Sequence, residues 1–268
     1  MAELEGRVAL VTGGAGGLGG AICRRLAALG ADVAVADLDV ASPAAEAVLA
    51  DVRALGRRAV AIQVDVTSDA DCARMARETI DQLGPIDVLY ANAGLGAGAD
   101  LAWEVSEQDF DLVMGVCVKG VWLTTKHVVP HMIERGRGRI VMTSSRDGLR
   151  AEKHCSAYVA AKHAVVGYTK ALALELGEHR INVNAICPTS MGHMTNWHPW
   201  WDYMLGKEGV TEAEFNKWSG SQDLFEKDDR MSFDTAAETA CWLVTDGAAT
   251  LTGHALPIDD GWIAKRGG

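Results

Sequence analysis

The sequence predicts an α/β fold: a doubly wound parallel sheet of seven strands with helices on both faces. Short β-branched runs alternate with helical patterns along the whole chain. The stretches between them run to about a dozen residues or more, the length of a crossover rather than a hairpin. A glycine-rich turn joins the first strand to the first helix. Right-handed crossovers of this kind lay the strands side by side and cover both faces.

Each element follows from its pattern. "RVALVT" (7–12) is a buried strand, and Leu18, Ile22, Leu26 and Leu29 follow at helical spacing, with Gly30 placed to end the helix. "DVAVAD" (32–37) is a strand, 43–55 is helical, and "AVAIQVDV" (59–66) is a strand. A helix over 69–83 stops at "GP", and "IDVLYANAG" (86–94) opens with the fourth strand. A long helical stretch spans about 106–134 before strand "RIVMTS" (139–144). Helix 156–177, strand "INVNAIC" (181–187), helix 234–245 and strand "HALPID" (254–259) complete the series.

One region, 190–232, has no strand-like run and holds Trp197, Trp200, Trp201 and Trp218 with Tyr203, Phe215 and Phe225. It reads as a helical flap on a single domain spanning 1–268, since no linker or repeat divides the chain.

Composition narrows the function. Asp and Glu outnumber Lys and Arg 36 to 25, a net charge of −11, which disfavours a nucleic-acid partner because phosphate contacts need a basic face. The apolar run at Val8–Val11 is too short for a signal peptide or a membrane span, so no membrane association is expected. Six scattered cysteines (23, 72, 117, 155, 187, 241) without a C-x-x-C pair fit reduced, packed thiols in a cytoplasm. His127 and His131 stand at i, i+4 but lack a third ligand at metal-site spacing, so no metal is expected.

"VTGGAGGLGG" follows the first strand and opens the first helix. Glycines there let the backbone approach a pyrophosphate, and the helix N-terminus offers free N–H groups and partial positive charge, as in Rossmann-type folds. Asp37 closes the second strand, where a carboxylate suits the two ribose hydroxyls of NAD and repels the 2′-phosphate of NADP. No Lys or Arg occurs between Thr12 and Gly20 to hold that phosphate.

"SAYVAAK" (156–162) places Tyr158 one helical turn before Lys162, so both can face one cleft. A free tyrosine near pKa 10 is only roughly one part in a thousand phenolate at neutral pH. A neighbouring ammonium favours the anion, so Tyr158 is expected to have a lowered pKa and to exchange protons near working pH.

The pattern T-G-x-x-x-G-x-G at Thr12, Gly13, Gly17 and Gly19 resembles the short-chain dehydrogenase/reductase family, in its single-domain branch of about 250 residues. Asp65-Val66, Asn92-Ala93-Gly94, Ser145 thirteen residues before Tyr158, Tyr158-x-x-x-Lys162 and Pro188 after the sixth strand agree with it. The resemblance implies an NAD-dependent alcohol dehydrogenase or carbonyl reductase. In such enzymes Tyr158 would be the general acid/base, Ser145 would hold the substrate oxygen, and Lys162 would hold the nicotinamide ribose. Thr12, Gly13, Gly17, Leu18, Gly19, Asp37, Asp65, Val66, Asn92, Ala93, Gly94, Pro188, Thr189 and Met191 would line the dinucleotide with Tyr158 and Lys162. The family also implies a homotetramer built on the long helices.

The chain departs from the family at three places. Cys117, in "CVKGVW" (117–122), stands at the position of the family's fourth catalytic residue, an asparagine, in a helix that kinks there. It keeps a backbone carbonyl but lacks the amide's hydrogen bonds, and it reads either as an altered proton relay or as a small space-filler. "CPTSMGHMT" carries Thr189 for the usual glycine and His193 for the usual threonine, with Thr195 two residues on, and "IDDGW" (258–262) replaces D-G-G. "YANAG", "AAKHAVVG" and "NAICPT" resemble the branch whose tightly held NAD is reoxidised by an external carrier (the mycofactocin-coupled type), although that branch's insertion after the second strand is missing. A non-catalytic NAD-binding sensor or scaffold and a lyase are further alternatives.

The flap tryptophans either pack on the sheet or line an apolar pocket. Arg146, Asp147 and Glu152 are candidate contacts, within a segment, 146–154, that could equally face solvent. The expected substrate is a bulky, apolar secondary alcohol or its ketone, cyclic or aryl-bearing.

Overall fold

A computed structural model of the chain describes residues 3–191 and 231–265, with positions 209, 211, 213, 214, 217 and 221. The flap expected at 190–232, its aromatic residues, His193 and Thr195 lie almost wholly outside the described residues.

The elements run β1 (Val8–Thr12), α1 (Gly17–Ala28), β2 (Asp32–Asp37), α2 (Pro43–Ala54), β3 (Ala59–Gln63), α3 (Asp69–Leu83), β4 (Val88–Ala91), α4 (Glu107–Met114), α5 (Gly120–Arg135), β5 (Gly138–Thr143), α6 (Ser156–Leu176), β6 (Ile181–Pro188), α7 (Phe233–Trp242), β7 (Ala255–Ile258) and α8 (Trp262–Lys265). All seven strands are parallel, in the order β3-β2-β1-β4-β5-β6-β7. The order reverses between β1 and β4, and the carboxyl ends of those strands open the crevice in which ligands of such sheets sit.

The central strands are buried on both faces, so they read as continuous apolar runs; VALVT of β1 is buried throughout. One core packs α1, α2 and α7 against the sheet through Ile22, Leu26, Val48, Val52 and Ala240. The opposite core packs α3, α5 and α6 through Met75, Leu123, Val128, Val165 and Leu172. Burial of such side chains stabilises by roughly 1.5–3 kcal/mol each. The six cysteines are all buried and unpaired, as their scatter suggested.

The long helical stretch holds one surprise. Glu107–Arg135 is long and apolar enough to cross a bilayer, yet it folds against the sheet as a core helix, with Val113, Val121, Leu123, Val128 and Met132 buried. Between α4 and α5, Gly115–Lys119 forms a π-helical turn. The wide turn sits where Gly120 lies against Val66: a Cβ at Gly120 would stand 2.7 Å from Val66 Cγ2. Such turns interrupt long helices and often mark functional sites.

Helix starts differ in a way that bears on function. Ser42, Ser68, Ser106 and Ser232 each accept a backbone N–H at the start of α2, α3, α4 and α7. These caps satisfy orphan donors and are worth about 1 kcal/mol each. The two helices that begin at the crevice, α1 and α6, have Gly16 and Cys155 at that position and no side-chain cap.

Candidate active site

The glycine turn after β1 is built by close packing. Gly13 and Gly17 hold φ of 63° and 53°, the left-handed region that favours glycine. A Cβ on Gly19 would lie 1.9 Å from the Gly13 carbonyl oxygen, so α1 approaches the turn only because that residue is glycine. Space beside Gly16 is open, with nothing within 4 Å of an added Cβ. An uncapped helix start, small residues and open space together fit the phosphates of a dinucleotide.

The turn is tied to its surroundings. Thr12 Oγ1 donates to Tyr90 O (3.4 Å) and accepts from the backbone N–H groups of Asn92 (3.0 Å) and Ala93 (3.2 Å). Asn92 Nδ2 donates to Thr12 O (3.0 Å) and Gly13 O (3.3 Å). Asp37, at the end of β2, accepts from Ala15 N–H at 2.9 Å, which places its carboxylate on the same turn.

Ser145, Tyr158 and Lys162 come together on the other side of the crevice. Ser145 follows β5, while Tyr158 and Lys162 share a face of α6. Ser145 stands close enough to the Tyr158 phenol for its hydroxyl to favour the phenolate. Lys162 Nζ lies 5.4 Å from the centre of the Tyr158 ring and donates to Thr143 O at 2.9 Å. Thr143 Oγ1 in turn donates to Asn92 Oδ1 at 3.0 Å, so a continuous chain of hydrogen bonds links α6 to the glycine turn.

These groups open into one cavity of about 410 Å³. Gly13, Gly17, Leu18, Gly19, Asn92, Ala93, Gly94, Ser145, Tyr158, Lys162, Pro188, Thr189 and Met191 all line it. Thr12 and Asp37 are not among its lining residues. Asp65 is exposed beyond the wall, and its carboxylate accepts from Thr67 N–H (2.9 Å) and Thr67 Oγ1 (2.7 Å). Val66 is buried against Gly120. Cys117 sits in the π turn, fully buried, with its thiol donating to Leu95 O at 3.2 Å.

The expected lowering of the Tyr158 pKa is not what the chain itself produces. Burial pushes the phenol well above 10, the Cys117 sulfur and the Asp147 carboxylate add to this, and only Ser145 opposes them among the leading causes. Desolvation wins because the lysine's amine reaches the Thr143 carbonyl instead of the phenol oxygen. Lowering therefore has to come from charge brought to the cleft.

The segment after Ser145 does not face solvent at its start. Arg146 and Asp147 are 3% and 8% exposed and line the cavity. Arg146 donates to Thr189 Oγ1 (2.9 Å) and Glu152 Oε2 (3.0 Å), and its guanidinium lies 4.1 Å from the ring centre of buried Trp262. Thr189 in place of glycine thus serves as an anchor for Arg146. In "IDDGW", Asp259 accepts from the N–H groups of Gly261 (3.2 Å) and Ile263 (2.9 Å), which starts α8 and seats Trp262.

Thr143, Ser144 and Phe233 also line the cavity and were not expected from the sequence. A signal existed for the first two, since they end the β5 run at the carboxyl edge. Phe233, whose ring lies 3.5 Å from where a Cβ on Gly17 would be, is brought in from a distant helix by tertiary packing alone.

The short chain dehydrogenase family matches residues 7–198. An NAD-dependent oxidoreductase of Mycobacterium tuberculosis is 34% identical, over 97% of this chain and 96% of that protein. The (-)-trans-carveol dehydrogenase of Rhodococcus erythropolis is 34% identical, over 99% of this chain and 100% of that protein. The crystal structure of a carveol dehydrogenase from Mycobacterium avium in complex with NAD superposes with a TM-score of 0.92, at 30% identity, over 98% and 100% of the two chains.

Proposed function

The chain belongs to the short-chain dehydrogenase/reductase family, and on that premise we propose that it oxidises a bulky, largely apolar secondary alcohol to its ketone, or reduces the ketone, with NAD. One observation carries this reading: Ser145, Tyr158 and Lys162 converge on one wall of the cavity, with the Lys162 amine beside the Tyr158 ring, and face the glycine turn across it. The NAD-dependent oxidoreductase and the NAD-bound carveol dehydrogenase structure support the cofactor, and the two carveol dehydrogenases support the alcohol-oxidoreductase class.

In this reading the uncapped start of α1 binds the pyrophosphate through Gly16, Gly17 and Leu18. Asp37 takes the adenosine ribose hydroxyls, Asp65 and Val66 border the adenine, and Asn92, Ala93 and Gly94 support the dinucleotide. Pro188, Thr189 and Met191 flank the nicotinamide end. NAD, when bound, supplies the acceptor or donor of hydride and a positive ring in its oxidised form. Ser145 orients the substrate oxygen. Tyr158 accepts the hydroxyl proton in oxidation and returns it in reduction, while Lys162 holds positive charge near the phenol and reaches the nicotinamide ribose. Cys117 fills space in the π turn, leaving its backbone for any relay. The chain is taken as a single domain and as a cytoplasmic homotetramer.

The test is incubation with NAD and a panel of secondary alcohols, following NADH by absorbance. Turnover of cyclic or aryl-bearing alcohols in preference to short charged hydroxy acids is expected; preference for a short acid would overturn the substrate reading. No turnover of any alcohol, with NAD still bound, would favour a sensor or scaffold.

A further inference from the structure

We propose that Asp147 is a specificity-determining residue whose carboxylate accepts a hydrogen bond from a second hydroxyl on the substrate, so that the substrate is a diol or hydroxyketone on an apolar frame. This rests on the alcohol-oxidoreductase reading of the same cavity.

The argument starts from where the charges go. Three charged side chains follow Ser145 into the buried wall: Arg146, Asp147 and Glu152. Arg146 is committed, with Glu152 and Thr189 accepting from it and Trp262 beneath it. Asp147 is not matched in this way. Its nearest cation atom is Arg146 Nε at 3.7 Å, an ion contact rather than a hydrogen bond. Its Oδ1 has no hydrogen-bond partner, although the residue is more than nine-tenths buried.

A buried carboxylate short of donors is costly unless something supplies them. The groups that act on Asp147 are Arg146, Glu152, His163 and Lys162. Its backbone N–H donates to Ser145 Oγ at 3.1 Å, so its position is fixed relative to the serine that would hold the reacting oxygen. Since Asp147 also lines the cavity, the missing donor is most simply supplied from the cavity side. A hydroxyl fits the vacant acceptor. An ammonium is disfavoured because Lys162 lines the same cavity, and a substrate carboxylate would be repelled by Asp147 itself. Burial pushes the Asp147 carboxyl up to about 6, and above that pH it is an acceptor only.

The test compares binding of cyclohexane-1,2-, -1,3- and -1,4-diols with cyclohexanol, by calorimetry on NAD-loaded Tyr158→Phe protein, with and without Asp147→Ala. At least one diol is expected to bind roughly ten-fold or more tighter than cyclohexanol, the size expected of a hydrogen bond to a charged group. That margin should fall to near unity with Asp147→Ala. A parent protein that binds no diol better than cyclohexanol, or a margin that survives Asp147→Ala, overturns the proposal. Asp147→Asn, nearly isosteric, serves if the alanine variant does not fold; its margin should shrink, and an unchanged margin also overturns the proposal. Activity persisting in Tyr158→Phe would sink the proton-transfer assignment separately, while the binding margin would still report on Asp147.

Discussion

The ammonium of Lys162 donates to the backbone carbonyl of Thr143 at 2.9 Å, which fixes a cation at the end of β5 and beside the Tyr158 ring. Lys162 is 3% exposed, and Ser144 Oγ also donates to its backbone oxygen at 2.8 Å, so the helix and the strand end move as one piece. Lys162→Met keeps the bulk and removes the charge. It is expected to lower kcat/KM for alcohol oxidation by about 10²–10⁴-fold, the range of a general acid/base contribution. Steady-state kinetics with NAD decide it; a change below a few-fold would remove Lys162 from the machinery.

Tyr158 is held above its ordinary pKa by burial, so the phenolate is scarce until positive charge arrives. Oxidation needs the phenolate and should therefore rise with pH, at about ten-fold per unit below the pKa that governs it. Ketone reduction needs the phenol and should stay level over the same range. An oxidation profile flat from acid to alkaline pH would contradict this.

Asp37 accepts from Ala15 N–H at 2.9 Å, within the turn that would carry the phosphates. Replacing it by Ser removes the anion that excludes a 2′-phosphate. Roughly a ten-fold or larger fall in the NAD-over-NADP preference is expected, equivalent to about 1.4 kcal/mol. Parallel titrations of the two dinucleotides measure it.

Gly19 has no room for a methyl group, because the Cβ would stand 1.9 Å from a backbone oxygen. Gly19→Ala must displace the turn or the start of α1, at about 1–3 kcal/mol. Thermal unfolding should show that loss, together with weakened NAD binding.

Asp147 has its carboxyl raised from 3.8 to about 6, chiefly by desolvation. The native state therefore holds this proton more tightly than the unfolded chain. The stability it contributes is present below pH 3.8 and is lost as pH rises through about 6. Asp147→Asn escapes that loss, so it should be more stable than the parent above pH 7, by up to about 3 kcal/mol, with the gain vanishing near pH 4. Melting curves across that range test the sign.

Much of this was legible in the sequence, because strands buried on both faces announce themselves as apolar runs and close packing at the turn admits only glycine. Helix 69–83 matched the observed α3 to the residue, with Ser68 as its cap and Gly84 beyond it. The strand expected at 59–66 proved shorter, ending at Gln63, because Asp65 turns back to accept from Thr67 N–H as the chain bends toward α3. The fate of 146–154 was not legible: a run of charges reads as solvated unless one knows that Glu152, Thr189 and Trp262 converge on Arg146. Nor was the Tyr158 shift, because spacing places an ammonium on the right face without saying which oxygen it reaches.

The most direct measurement is NADH formation by Tyr158→Phe protein with the best alcohol of the panel, alongside a binding titration with NAD. Turnover reduced by about 10²–10⁴-fold with NAD affinity near that of the parent is the expected result. Turnover equal to the parent's would contradict the assignment of Tyr158 as the group that moves the proton.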